Sequence, residues 1–288
     1  MSFTDLFKLL RANNYYKNLL IFLPLIFISQ ILSPNPLLRV FLGFIALCAV
    51  SSANYIFNDI IDRKQDIHHP EKRFRPIASG RVWTEFALFI GITLLITSFL
   101  LSYLLSFYFF LFVLALFILT NLYSLFLKQI LFLDIIFISI NFVLRALAGA
   151  FIIFPNKIIR ISPWLVLVPF FLALFLATAK RRSNLIYLGE HASKYNKLLE
   201  HYDYHTTSFL FTTSTTLLIF TYALFTFFSD FPLLIITIPI VLYAIFRFYK
   251  LTESGNRIGR NIIHSVKDKS LLISFLLWIF VTFLVIYL

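Results

Sequence analysis

Residues 37–66 read LLRVFLGFIALCAVSSANYIFNDIIDRKQD, an apolar run that ends in a group of carboxylates. About 20 apolar residues cross a bilayer as one helix, and residues 37–57 supply that length. If the helical repeat continues, Asp59, Asp62 and Asp66 stand at i, i+3 and i+7 and share one helical face. Asn58 adds a neutral oxygen beside them. Three carboxylates in one place repel one another unless a cation lies between them. Hard oxygen donors suit Mg²⁺, which keeps several waters and completes its shell with substrate phosphate oxygens. The expected ligand set is therefore Asn58, Asp59, Asp62 and Asp66, and the expected partner is a diphosphate.

The rest of the chain sets this motif in a membrane. Of 288 residues, 60% are hydrophobic and 13% charged, against about 25% charged in an ordinary soluble domain. A water-soluble globular domain is excluded. Apolar runs near 19–34, 37–57, 85–105, 107–127, 131–153, 162–179, 207–228, 231–249 and 270–288 predict roughly nine crossings. The expected fold is all-α and integral to the membrane, with 1–288 read as a single transferase domain. No small-residue cleavage site follows Leu32, so the first run is expected to stay as an anchor. Cys48 is the sole cysteine, which excludes a disulfide framework within the chain. The 37 Phe residues are expected as lipid-facing and packing groups.

The 25 Lys and Arg fall very unevenly about these runs. One side receives Lys8, Arg11, Lys17, Arg63, Lys64, Lys72, Arg73, Arg75, Arg81 and Lys128. The same side receives Lys180, Arg181, Arg182, Lys194, Lys197, Arg247, Lys250, Arg257, Arg260, Lys267 and Lys269. Arg39, Lys157 and Arg160 remain for the other side, and Arg145 lies within a run. The positive-inside rule then predicts a multi-pass protein of the inner (cytoplasmic) membrane, with the amino terminus and the carboxylates in the cytoplasm. The net charge of +12 is what basic residues at membrane boundaries produce as they meet anionic headgroups, and nucleic acid is not an expected partner.

After the carboxylates, residues 67–81 read IHHPEKRFRPIASGR, a loop stiffened by Pro70 and Pro76. Arg forks pair bidentately with phosphate oxygens and Lys acts as a point charge. Lys72, Arg73 and Arg75 are thus expected to grip an anionic substrate. His68 and His69 carry no expected ligand role, because a Mg²⁺ site needs no imidazole. A second constellation comprises Asn121, Tyr123, Ser124, Lys128 and Asp134, followed by Asn141 and Arg145. The last three are seven and four residues apart, hence on one helical face. Ionisable groups within a membrane helix usually face the bundle interior or a wet cavity. Asp134 is expected as a second metal ligand or as a hydrogen-bond partner of a sugar, and Arg145 as a substrate contact or a structural ion pair.

The run Asn-Asp-x-x-Asp-x-x-x-Asp at 58–66, the crossings and the basic loop resemble the UbiA superfamily of intramembrane prenyltransferases. Four stretches are more similar to its decaprenyl-phosphate phosphoribosyltransferase branch. They are 11–24 with Tyr-Tyr-Lys-Asn at 15–18, the block 58–80 ending Arg-Pro-Ile-Ala-Ser-Gly, Tyr-Ser-Leu-Phe-Leu-Lys at 123–128 with Asp134 and Arg145, and Lys-Arg-Arg-Ser at 180–183. Aromatic prenyltransferases of the superfamily carry a second Asp-x-x-x-Asp motif after the sixth helix. Here 180–205 offers only Glu190, Glu200 and Asp203 without that spacing. Tyr15 and Tyr16 stand where an aromatic such as Trp often precedes the Lys-Asn pair, and Asn184 replaces an expected acid.

The resemblance implies Mg²⁺-dependent transfer of 5-phosphoribose from 5-phosphoribosyl 1-diphosphate to a polyprenyl phosphate, releasing diphosphate. It implies Asp59, Asp62 and Asp66 as catalytic metal holders. Lys72, Arg73, Arg75, Tyr123, Lys128, Asp134, Arg145, Lys180 and Arg181 are implied contacts of the diphosphate and phosphoribose, and Lys17 and Asn18 of the lipid phosphate. The product would serve lipid-linked arabinose and cell-envelope glycan synthesis, and an oligomer in the bilayer is compatible with it. The alternative is a prenyltransferase moving a prenyl group from its diphosphate to an aromatic or other acceptor. A transporter would instead show paired broken helices and a polar path through the midplane, whereas the polar residues gather toward one end of the runs.

Overall fold

The computed structural model describes residues 3–68, 72–155, 160–189 and 201–288, and every regular element among them is helical. The chain divides into two units, one of residues 1–127 and 141–161, the other of 128–140 and 162–288. In the first unit α1 is Phe3–Leu10, followed by a 3₁₀ helix Ala12–Phe22 and α2 Leu23–Phe27. Then come α3 Pro34–Ile61, α4 Arg63–Asp66, α5 Thr84–Leu105 and α6 Phe107–Leu125. Helix α7, Leu133–Ile153, begins in the second unit and ends in the first. The second unit continues with α8 Pro163–Leu188, α9 Tyr204–Phe228, α10 Ile238–Glu253, the short α11 Arg257–Arg260 and α12 Lys269–Tyr287.

Among the described residues eight helices are long and apolar enough to cross a membrane. The protein is a multi-pass integral membrane protein. One expectation is corrected: 19–34 is not a continuous spanning helix. It holds the end of the 3₁₀ helix, then α2, then a turn in which Ser29 takes φ 56°. The 3₁₀ helix and α2 together, from Ala12 to Phe27, rise by about 30 Å, close to the hydrocarbon thickness, so the stretch with the length of a crossing is broken and begins at Ala12 rather than at residue 19.

In the first unit Ile21, Leu25, Val40, Leu47, Val50, Phe109, Val113, Leu116 and Ile152 form one buried cluster. Close approach matters more than bulk there, because lipid tails are as apolar as Leu and helix association depends on contact. Gly149 shows it: a Cβ on this residue would overlap the backbone carbonyl of Ile21. At one end of the unit Arg39 donates from Nη2 to the Leu105 carbonyl at 2.6 Å and from Nε to the Ile152 carbonyl at 3.4 Å. These carbonyls belong to the last turns of α5 and α7, which no helical N–H satisfies. Arg39 is thus a helix-end partner as well as a topology signal.

The core of the second unit is aromatic. Phe175, Phe211, Phe248 and Leu218 are buried together with Ile245, Ile258 and Leu271, and the ring of Phe211 lies parallel to that of Tyr249 with centroids 4.5 Å apart. Outward-facing Phe side chains such as Phe89, Phe209 and Phe227 present the apolar surface that lipid requires.

Candidate functional site

The carboxylates of the first unit are arranged differently from their helical spacing. Helix α3 stops at Ile61, and Asp62 closes it with φ −80° and ψ −2°. The chain then starts the one-turn helix α4, whose last residue is Asp66. Three carboxylates were expected on one continuous face, and that expectation is corrected. The break brings Asp59 and Asp66 to a common point, whereas Asp62 is half-buried at the junction. Among the described residues no three acidic, imidazole or thiol groups form a ready metal-ligand set.

Asp59 and Asp66 are each 2% exposed, so their charges need compensation on the spot. Arg75 supplies it: its Nη1 donates to Asp59 Oδ1 at 3.0 Å and to Asp66 Oδ2 at 2.6 Å. Arg11 pairs with the same Asp59 oxygen, and its guanidinium lies 4.7 Å from the centroid of the Tyr55 ring. Lys72 Nζ stands 3.9 Å from Asp66 Oδ1. A single guanidinium nitrogen therefore sits between two buried carboxylates, where a positive charge is already held. The donor set fits Mg²⁺ on chemistry, being hard oxygens with Asn58 and Asp62 on the adjoining turn, once Arg75 gives up the position between them. Arg73, by contrast, is exposed, with its guanidinium 4.8 Å from the Phe74 ring centroid.

A polar line runs through the helices of this unit. Arg145 donates from Nε to Asn18 Oδ1 at 2.9 Å and from Nη1 to the Asn141 carbonyl at 2.6 Å. Asn18 is 1% exposed, and its amide donates in turn to Cys48 Sγ at 3.3 Å. Asn121 donates to Asn54 Oδ1 at 2.7 Å, and Thr120 to Asn141 Oδ1 at 3.1 Å. Inside a membrane such groups must satisfy one another. Among the described residues Arg145 is accordingly bound to an amide and a carbonyl, and Asn18 faces Arg145. Lys17 is half-buried, with Nζ 5.8 Å from the Tyr16 ring centroid. Tyr123 is half-buried near the end of α6.

In the second unit Asp134 opens α7 and is fully buried. Arg181 Nε donates to its Oδ2 at 2.8 Å, and the Tyr202 hydroxyl donates to its Oδ1 at 2.7 Å. Both Asp134 oxygens are thus engaged by side chains of the second unit, and neither meets solvent. The same Tyr202 oxygen accepts from the Phe132 N–H at 3.3 Å. Burial first, then the bond to Asp134, holds the Tyr202 phenol well above the ordinary tyrosine range. One residue on, Arg182 is 1% exposed and pairs with both oxygens of Glu253 at 2.9 and 2.8 Å. Lys180 is exposed on α8, and Lys128 is half-buried in the second unit.

Sequence reasoning gave no role to Arg11, Tyr55, Tyr202 or Glu253. Arg11 and Tyr202 lay in segments that had been read for other features, and Glu253 ends an apolar helix with no motif around it. A basic residue 48 positions from its acid gives no spacing signal. His69, Pro70, Glu71, Lys157, Glu190, Lys194, Lys197 and Glu200 lie outside the described residues.

Comparison with known proteins agrees with this architecture. The chain is 31% identical to a decaprenyl-phosphate phosphoribosyltransferase of Mycolicibacterium smegmatis, over 96% of this chain and 90% of that protein. It is 29% identical to the protein of the same name from Mycobacterium tuberculosis, over 84% and 79% of the two chains. The fold matches a UbiA homologue from Archaeoglobus fulgidus, solved with DMAPP and Mg²⁺, with TM-score 0.68 at 18% identity over 97% of this chain and 98% of that one. The model of the UbiA prenyltransferase family matches residues 18–260. The chain belongs to the UbiA prenyltransferase family.

Proposed function

We propose that the protein transfers 5-phosphoribose from 5-phosphoribosyl 1-diphosphate to a polyprenyl phosphate with Mg²⁺, releasing diphosphate. The observation that carries this reading is the 31% identity to a decaprenyl-phosphate phosphoribosyltransferase along 96% of the chain. The geometry of the first unit supports it, because buried carboxylates lie among several cations and a multiply anionic soluble donor needs both.

In this reading Asp59 and Asp66 hold the metal, and Asn58 and Asp62 complete its oxygen donors. The bound Mg²⁺ supplies charge neutralisation for the departing diphosphate as the ribose C1–O bond breaks. Arg75 and Lys72 leave the carboxylates and turn to phosphate oxygens, and Arg73 on the exposed loop reaches the same donor. Lys17 meets the lipid phosphate, with Asn18 holding Arg145 beside it. On resemblance alone, Tyr123, Lys128, Lys180 and Arg181 contact the donor, with Asp134 orienting Arg181. The acceptor is a phosphate monoester, largely dianionic near neutral pH with a second pKa of about 6, so its oxygen attacks C1 without a general base. Attack opposite the diphosphate inverts C1. The carboxylates and the amino terminus face the cytoplasm, and the product feeds lipid-linked sugar synthesis for the cell envelope.

The test is to incubate purified protein with Mg²⁺, radiolabelled 5-phosphoribosyl diphosphate and a polyprenyl phosphate, and to count label in the organic phase. Label that appears there and vanishes with EDTA is the expected result. No label across several chain lengths, together with transfer from a prenyl diphosphate to an aromatic acceptor, overturns it in favour of prenyl transfer.

A further inference from the structure

The second unit contains a cavity of about 540 Å³ lined by Tyr187, Arg257, Arg260, His264, Lys267 and Asp268, together with Gly255, Asn256 and Ile258. It shares no residue with the carboxylates of the first unit. It lies in the short connection between the spans Pro232–Glu253 and Lys269–Tyr287, hence at the level where a bilayer changes from hydrocarbon to headgroup.

The connection is shaped by backbone hydrogen bonds. After α10, Gly255 takes φ +68°, with its N–H on the Thr252 carbonyl and the Asn256 N–H on that of Leu251. This paired closure of a helix end favours glycine at the left-handed position. Asn256 and Asn261 then accept from the N–H groups of Ile258 and Ile263, at 3.1 Å each. Their side chains occupy the amide donors that open the next two helical turns, so the cavity owes its character to side chains.

Those side chains are strongly basic. The Arg260 guanidinium lies against the Tyr187 ring at 3.6 Å from the centroid, which fixes its plane and leaves its edge as donor. Its Nε is buried and has no hydrogen-bond partner among the described residues. Buried donors are almost always satisfied, so this one points to an acceptor supplied from outside the described residues. Asp268, the acid of the lining, is committed to Arg247 at 2.8 Å. None of Arg257, Arg260 and Lys267 enters an ion pair among the described residues. Two guanidinium groups, an ammonium and an imidazole thus line the cavity, and its carboxylate, Asp268, is paired with Arg247 from outside the lining.

We propose that this cavity is a second anion site, which binds a phosphate-bearing ligand through Arg257, Arg260 and Lys267. The shared chemistry is a phosphate ester, carried either by an anionic phospholipid headgroup or by a water-soluble phosphate. A volume of several hundred Å³ accommodates a headgroup or a small phosphorylated molecule.

The experiment uses the full chain in phosphatidylcholine nanodiscs, without Mg²⁺ or 5-phosphoribosyl diphosphate, so it is independent of the proposed transfer. One arm adds a minor fraction of phosphatidylglycerol and measures lipid retained by native mass spectrometry. The other titrates glycerol phosphate calorimetrically. Arg260→Gln, and separately the rim variant Arg257→Gln, should each weaken binding of one probe by about tenfold. Lys250→Gln with Lys269→Gln, which removes two charges outside the lining, should leave it unchanged. Loss confined to phosphatidylglycerol assigns a lipid headgroup, and loss confined to glycerol phosphate assigns a soluble ester. Equal weakening by the Lys250 and Lys269 control, or binding of neither probe, overturns the proposal. Matching melting temperatures in pure phosphatidylcholine separate these results from misfolding.

Discussion

Replacing Tyr202 with Phe removes the hydroxyl from the buried triad of the second unit. The ring remains, keeping its edge contact with Phe132 at 6.1 Å and its packing against Leu131, Leu185 and Leu210. The hydroxyl is lost, and with it the 2.7 Å donation to Asp134 Oδ1 and the longer 3.3 Å bond accepted from the Phe132 N–H. Asp134 is fully buried, so water does not replace the donor, and Arg181 remains on the other oxygen. A hydrogen bond to a charged group contributes about 1.5–3 kcal/mol, which sets the expected destabilisation near 2 kcal/mol. At about 2.1 cal/mol/K per residue, a chain of 288 residues then melts lower by about 3 °C. The assay is thermal unfolding in detergent followed by intrinsic fluorescence, with Tyr202→Phe measured in both the native and the Asp134→Asn background. The effect should shrink by at least about 1 kcal/mol in the second background, because the partners are coupled. A melting point within a degree of native, or strict additivity, would refute the account of Asp134 as an internal anchor.

Tyr202 also fixes a pH dependence. Its phenol is raised above the ordinary value of 10.0, so above that pH the unfolded chain loses the proton first and stability falls as pH rises through the folded value; unfolding at graded alkaline pH should be less steep for Tyr202→Phe. Arg75→Gln removes the internal cation between Asp59 and Asp66, so the protein should melt lower without metal and gain more from added Mg²⁺ than the native chain; an unchanged Mg²⁺ response would count against the shared position. Asp66→Asn should abolish Mg²⁺-dependent transfer of labelled phosphoribose while the protein remains folded, and substantial residual Mg²⁺-dependent turnover would sink its metal role. Gly149→Ala forces a methyl onto the Ile21 carbonyl and should cost about 1–3 kcal/mol, read as a lower melting temperature than that of the native chain; an unchanged melting temperature would refute the close approach.

The helices were legible because hydrophobic run length is a local property: α5, α6 and α12 fall close to where apolar composition puts them. Residues 19–34 were misread as one helix because composition reports apolarity but not the turn at Ser29. The site was legible in part. Asp59 and Asp66 are brought together, but by a break at Asp62 that periodicity does not anticipate. The spacing of Asp134, Asn141 and Arg145 puts them on one inward face, and each of them bonds within the protein, since lipid leaves them no other partners. Their actual bonds, such as Arg145 to Asn18, join positions 127 apart, and no spacing encodes that.

By itself, then, the sequence determined that this chain is a helical membrane protein with a carboxylate motif followed by a basic loop, because hydropathy, charge and short-range spacing act within a few turns. Only the tertiary structure decided which charge neutralises which. Arg75 lies between Asp59 and Asp66, Tyr202 and Arg181 close around Asp134, and Arg260 keeps a buried Nε without an acceptor among the described residues. The reason is physical: a buried charge must find its partner among whatever groups packing brings beside it, and that neighbourhood is assembled from segments distant along the chain.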